Sequence, residues 1–116
     1  MNSKKIVFFG FPDFSSQILE ALIKDPKINV VAVVTQPDKP QGRKNILTAS
    51  AVAQLATQYK LPVFKPSKLD QSNLQHIKLL QPDLFLVAAY GQIIPPSWLD
   101  TPQEATLNIH FSLLPK

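Results

Sequence analysis

Three short apolar runs constrain this chain more than any other feature: I-V-F-F at 6–9, I-N-V-V-A-V-V-T at 28–35 and L-F-L-V-A-A at 84–89. A strand with one wet face alternates polar and apolar residues. These runs are nearly continuous and rich in β-branched or aromatic side chains, the pattern of strands buried on both faces of a parallel sheet. The intervening segments carry the helical period. Phe14, Ile18, Leu19, Leu22 and Ile23 recur at helical spacing, with Asp13 placed as N-cap and Pro26 beyond the end. The alanine-rich stretch 49–59, with Thr48 or Ser50 to cap it, and the stretch 70–80 read as two further helices. A very short strand at 62–64, a proline-marked helical turn at 95–99 and a last strand at 105–109 complete the alternation. The expected fold is α/β: an open, doubly wound, mostly parallel sheet of about five strands joined by right-handed crossovers. Residues 36–45, Q-P-D-K-P-Q-G-R-K-N, hold two prolines and Gly42 and read as an exposed loop without regular structure.

The chain has 116 residues, 45% of them hydrophobic and 17% charged, which suits one domain with one core and excludes a disordered chain. It has no cysteine, so disulfides, thiolate metal sites and a cysteine nucleophile are excluded, and two histidines leave little for an imidazole-rich metal centre. No metal is expected. No apolar run approaches the roughly 18 residues that span a bilayer. Lys4-Lys5 followed by apolar residues faintly resembles a signal peptide, but Asp13 cuts the run short and no small-residue cleavage site follows. A cytoplasmic protein with no membrane partner is expected.

The formal net charge of +4 is unevenly spread. Between 39 and 68 stand six basic residues (Lys39, Arg43, Lys44, Lys60, Lys65, Lys68) and no acidic one, leaving six basic and eight acidic residues elsewhere. A polyanion would feel that asymmetry, although from charge alone a solvated helix and loop surface is the preferred reading.

In open α/β sheets ligands bind at the carboxyl ends of strands, near the reversal of strand order. Three loops should therefore converge there, at 10–13, 90–94 and 108–116. Dinucleotide binding is disfavoured, because the first loop reads G-F-P-D-F. It lacks G-x-G-x-x-G, and Phe11 and Pro12 would obstruct a pyrophosphate. Neither a P-loop, nor H-E-x-x-H, nor G-x-S-x-G occurs. The segment N-I-H-F-S-L-L-P at 108–115 is the chemical candidate. On a strand Asn108 and His110 share a face, and an amide beside an imidazole suits stabilising an oxyanion and moving a proton. From spacing alone, a structural histidine and a turn-forming asparagine explain the pair as well.

Five segments, in order, bear a wider resemblance: G-F-P-D-F at 10–14, T-Q-P-D-K-P-Q-G-R at 35–43, L-P-V-F-K-P at 61–66, P-D-L-F-L-V-A-A-Y-G-Q-I-I-P at 82–95 and N-I-H-F-S-L-L-P-K at 108–116. The chain resembles, over almost its whole length, the N-terminal part of the methionyl-tRNA formyltransferases in the formyltetrahydrofolate-dependent superfamily. The resemblance implies a Rossmann-like catalytic domain of which residues 1–116 are the N-terminal portion, the remainder and a C-terminal β-barrel lying outside it. It implies transfer of a formyl group from 10-formyltetrahydrofolate to the α-amino group of methionine on initiator tRNA, by a protein expected to be a monomer.

The same resemblance distributes the roles. Asn108 and His110 would stabilise the oxygen of a tetrahedral intermediate, with His110 oriented by an aspartate that in the family lies beyond position 116. Ser112, Leu113, Leu114 and Pro115 resemble the folate-binding segment, and Tyr90, Gly91, Gln92 and Ile93 the loop flanking the same pocket. Arg43, with Lys39 and Lys44, resembles the loop that meets the tRNA acceptor stem. K-N-I-L-T-A-S-A at 44–51 is less basic than the family pattern, and Phe111 is bulkier than the residue usually following this histidine. Without the aspartate, the 116 residues alone are expected to be inactive. Two alternatives stay open: a non-catalytic folate- or tRNA-binding fragment, and a formyltransferase for another amine such as a nucleotide amino sugar. Asp13 is expected only to cap its helix, His76 to lie on the surface, and Trp98 to anchor the helical turn.

Overall fold

The computed structural model describes residues 3–109. His110, Phe111 and the segment Ser112, Leu113, Leu114 and Pro115 lie outside the described residues. The elements run β1 (Lys4–Gly10), α1 (Asp13–Ile23), β2 (Ile28–Val34), β3 (Lys39–Gln41), β4 (Ile46–Thr48), α2 (Ala51–Gln58), β5 (Val63–Phe64), α3 (Gln71–Lys78), β6 (Leu84–Ala88), α4 (Pro96–Leu99) and β7 (Ala105–Asn108).

Five strands form one sheet in the order β5-β2-β1-β6-β7, every pair parallel. The chain builds outward from β1 through β2 to β5, then returns to the other side of β1 with β6 and β7. The order therefore reverses between β1 and β6, where parallel sheets open a crevice at their carboxyl ends.

The continuous apolar runs are explained by two cores, one on each face. Ile6 and Phe8 of β1 pack with Leu19 of α1 and with Val52 and Ala56 of α2. Val7 and Phe9 point the other way, into Leu74 and Ile77 of α3 and Trp98 of α4. Between Ile6 and Val7 the β1–β2 register shifts: Ile6 faces Val30 while Val7 faces Ala32. The extra residue, Val31, shifts the alternation so that Ala32 and Val34 join the core of Val7 and Phe9 while Val33 joins that of Ile6 and Phe8.

Local chemistry sets the helix ends. The Ser50 hydroxyl accepts from the Ala53 N–H at 3.0 Å and caps α2, and the Asp70 carboxylate accepts from the Asn73 N–H at 2.9 Å and caps α3. Asp13 is not the cap expected for α1. Pro12 occupies that position, extended at φ −60° and ψ 159°, and Asp13 is the first helical residue. The carboxylate still faces the positive end of the helix dipole from there.

The stretch 36–45 is not wholly irregular. Lys39–Gln41 and Ile46–Thr48 pair antiparallel, with Lys39 opposite Thr48 and Gln41 opposite Ile46. Gly42 (φ +74°) and Asn45 (φ +51°) supply the left-handed backbone that the four-residue turn requires. The result is a hairpin outside the main sheet, with Ile46 and Leu47 largely exposed on it. Trp98 is buried as expected, its indole N–H donating to the Asp70 carbonyl at 3.2 Å. His76 is exposed and stacks on Phe64.

Candidate functional site

At the carboxyl edge the ends of β1, β6 and β7 are bound to one another. The Phe11 N–H donates to the Ala89 carbonyl at 3.0 Å, and the Ile109 N–H donates to the Val87 carbonyl at 2.8 Å. The Ser15 hydroxyl, buried in the first turn of α1, donates to the Ala88 carbonyl. Gly10 permits this approach, since a methyl group there would stand 2.7 Å from the Phe8 ring and 3.0 Å from Ser15 Cβ. The described parts of the three loops thus converge, although the first and last are far apart in sequence.

Among the clefts lined by described residues, two border the first loop or the loop after β6. One, of about 270 Å³, is lined by Val87, Gln92, Ile93, Ile94, Leu99, Thr106 and Asn108. Its walls are largely apolar, with the Asn108 and Gln92 amides and the Thr106 hydroxyl as its polar groups, a composition suited to a flat heteroaromatic ring. The other, of about 510 Å³, lies between the first loop, the hairpin and the start of α2, and includes Phe11, Asp13, Lys39, Gln41 and Ser50. Lys39 holds its ammonium 5.3 Å from the Phe11 ring centroid, a cation–π contact that attaches the hairpin to the first loop.

The expected site residues separate into three positions. Asn108 is exposed at the end of β7 and shares the smaller cleft with Gln92 and Ile93. Arg43 and Lys44 are exposed in the hairpin turn, with Lys39 on its first strand. Tyr90 differs from its neighbours. Gly91, Gln92 and Ile93 are exposed, but the Tyr90 ring is buried edge-on against Phe9 at 5.8 Å. Its side chain therefore belongs to the core, and the loop beyond it faces the cleft. Its carbonyl accepts from the Gln36 side-chain amide at 2.7 Å. Gln36 is nearly fully buried, a contact that the polar, proline-rich text around it does not reveal.

The Tyr90 hydroxyl is buried without a hydrogen-bond partner among the described residues, and burial pushes its pKa up to about 12 from 10.0. Between these values the unfolded chain loses the proton first, so stability is intact below pH 10 and falls as pH rises toward 12. The expected loss is about 2–3 kcal/mol. Denaturant titrations at pH 9 and pH 11.5 should show it in the native sequence and not in Tyr90→Phe.

Among the described residues no three His, Asp or Glu side chains group as metal ligands, and no helix is long and apolar enough to cross a membrane. A family profile described as formyl transferase matches residues 4–116. The chain belongs to the formyl transferase family. Two relatives named methionyl-tRNA formyltransferase, from Staphylococcus epidermidis (strain ATCC 12228 / FDA PCI 1200) and Staphylococcus aureus (strain N315), are each 48% identical over 113 residues, 97% of this chain and 36% of theirs. This formyl transferase chain thus spans about a third of the length of the curated relatives it matches.

The same fold is found in solved structures of more distant sequence. Glycinamide ribonucleotide transformylase 1 from Geobacillus kaustophilus superposes with a TM-score of 0.66 at 23% identity, over 98% of this chain and 61% of that one. Phosphoribosylglycinamide formyltransferase from Coxiella burnetii gives 0.66 at 18% identity, over 100% and 55%. The formyl transferase sheet and its flanking helices are thus shared well below the identity at which substrates can be compared.

Proposed function

We propose that this formyl transferase chain is the N-terminal catalytic portion of a cytoplasmic enzyme that moves a formyl group from 10-formyltetrahydrofolate to the amino group of methionyl initiator tRNA. The observation that carries this reading is the 48% identity, across nearly the whole chain, to relatives named for that acceptor. The basic hairpin supports it, since Arg43 and Lys44 stand exposed at its turn, on the segment where sequence departs furthest from a plain α/β connection.

The folate supplies an activated formyl carbon that the amine attacks. Around it, Val87, Ile94 and Leu99 supply apolar walls, and the loop Gly91, Gln92 and Ile93 offers backbone groups to a pterin edge. Asn108 donates from its amide to the oxygen that gains negative charge, where a preorganised donor acts most strongly. His110, two residues on, is assigned the second donor and the proton transfer, and the segment Ser112, Leu113, Leu114 and Pro115 is assigned to folate binding. Arg43, Lys44 and Lys39 attract the phosphates of the acceptor stem, whose irregular end is read by shape.

The full-length gene product is expected to formylate methionyl initiator tRNA with 10-formyltetrahydrofolate and to leave glycinamide ribonucleotide untouched. The opposite preference overturns the reading. Arg43→Ala and Lys44→Ala are each expected to weaken tRNA binding and to flatten log affinity against log salt by about 0.7–0.9 per charge removed. Filter binding across a salt series measures it. The KM for the folate should not move.

A further inference from the structure

The reversal of strand order is crossed by one side chain that the function above does not use. Thr35 and Gln36 follow β2 directly, and their side chains make tethers to two different elements. The Thr35 hydroxyl lies 2.9 Å from that of Ser50, the residue that caps α2 just after the hairpin. Both feet of the hairpin are thereby held together. Gln36 reaches past the end of β1 to the loop after β6, its Nε2 donating to the Tyr90 carbonyl at 2.7 Å. Gly91 lies at φ +89°, and a methyl group there would collide with Gln36 Nε2. The backbone at 90–91 is therefore shaped around this amide.

The loop so held continues into Gln92 and Ile93, which line the smaller cleft with Asn108. Both are exposed, and the fixed points of the loop are the buried Tyr90 ring, the Tyr90 carbonyl and the return into α4. A carbonyl that loses its donor is free to rotate, and the exposed residues beyond it move with it. We propose that Gln36 is a positioning residue of the transfer reaction, holding the Tyr90–Gly91 backbone so that the loop beyond it presents a fixed wall to the formyl donor. This rests on the function proposed above. Gln36 acts through Tyr90 and Gly91 and touches neither substrate.

Two variants in the full-length gene product test the idea. Gln36→Glu keeps the shape and turns an oxygen toward the Tyr90 carbonyl. Gln36→Met keeps the length and burial with no amide. Both are expected to lower the melting temperature, because each leaves a buried group without its partner, and, in the protein that remains folded, to raise the KM for 10-formyltetrahydrofolate at least tenfold while changing the KM for methionyl-tRNA less than twofold. Residues that only hold the fold together would lower the active fraction, hence kcat, with both KM values unchanged. Unchanged KM values, or KM values that rise together, overturn the proposal while native activity upholds the function. A native protein inactive on methionyl-tRNA overturns the function and this proposal with it.

Discussion

Replacing Asn108 by alanine is expected to lower kcat for formyl transfer about 100- to 1,000-fold, the range found when one preorganised oxyanion donor is removed. The position explains why the loss should fall on kcat. Asn108 is exposed at the last residue of an edge strand, and its side chain makes no hydrogen bond to another described residue. Folding therefore gains little from the amide, and thermal stability should move by no more than about 0.5 kcal/mol. Single-turnover rates on the full-length gene product, alongside a melting curve, separate the two. A variant that melts normally and retains the native rate would remove Asn108 from the reaction. Asn108→Asp is a sharper version, since it puts negative charge where negative charge must develop.

The second large effect is expected in the core. Phe9→Ala should destabilise the domain by about 3–5 kcal/mol, a large part of the roughly 5–15 kcal/mol available to a typical domain. Phe9 is fully buried on the central strand, and its ring packs 4.9 Å from Phe85, 5.8 Å from Tyr90 and 6.1 Å from Trp98, centroid to centroid. Its removal leaves a cavity shared by β1, β6, α4 and the Tyr90 loop. The neighbours that would have to collapse into it are fixed by two strands and by the indole hydrogen bond to Asp70. Leu79→Ala, at a residue 80% exposed, should cost less than about 0.5 kcal/mol. Urea unfolding of the two variants measures the contrast.

The elements legible in the sequence are those whose periodicity reports burial. The apolar runs at 6–9, 28–35 and 84–89 mark β1, β2 and β6 because both faces of those strands meet a core. Ser50 announces α2 because capping is local chemistry. The hairpin was not legible. Its strands are three residues long, exposed, and carry a proline opposite Leu47, so no burial pattern records them. Asp13 is displaced by one position from the expected cap, because the extended Pro12 starts the helix one residue earlier than the acidic residue alone indicates. The meeting of the described parts of the three loops followed from topology, and Asn108 could be placed at the edge from strand alternation. Gln36 could not be, since its burial depends on a contact made across β1 with a loop distant in sequence. Tyr90 opens the loop that follows β6, but its inward orientation depends on Phe9, which sequence spacing does not bring near it.

The central place of β1 also sets an order of assembly on the ribosome. Its first edge is satisfied early, because β2 is made soon after it and Ile6 meets Val30. Its second edge waits for β6, whose Leu84 pairs with the same Ile6. Until residues 84–88 leave the exit tunnel, a nascent chain that has formed β5-β2-β1 presents a bare strand edge and the uncovered ring of Phe9. Such edges recruit other chains when they persist. The yield of folded protein should therefore depend on how quickly translation proceeds from Phe64 to Ala88, and synonymous codons that slow that interval should lower it.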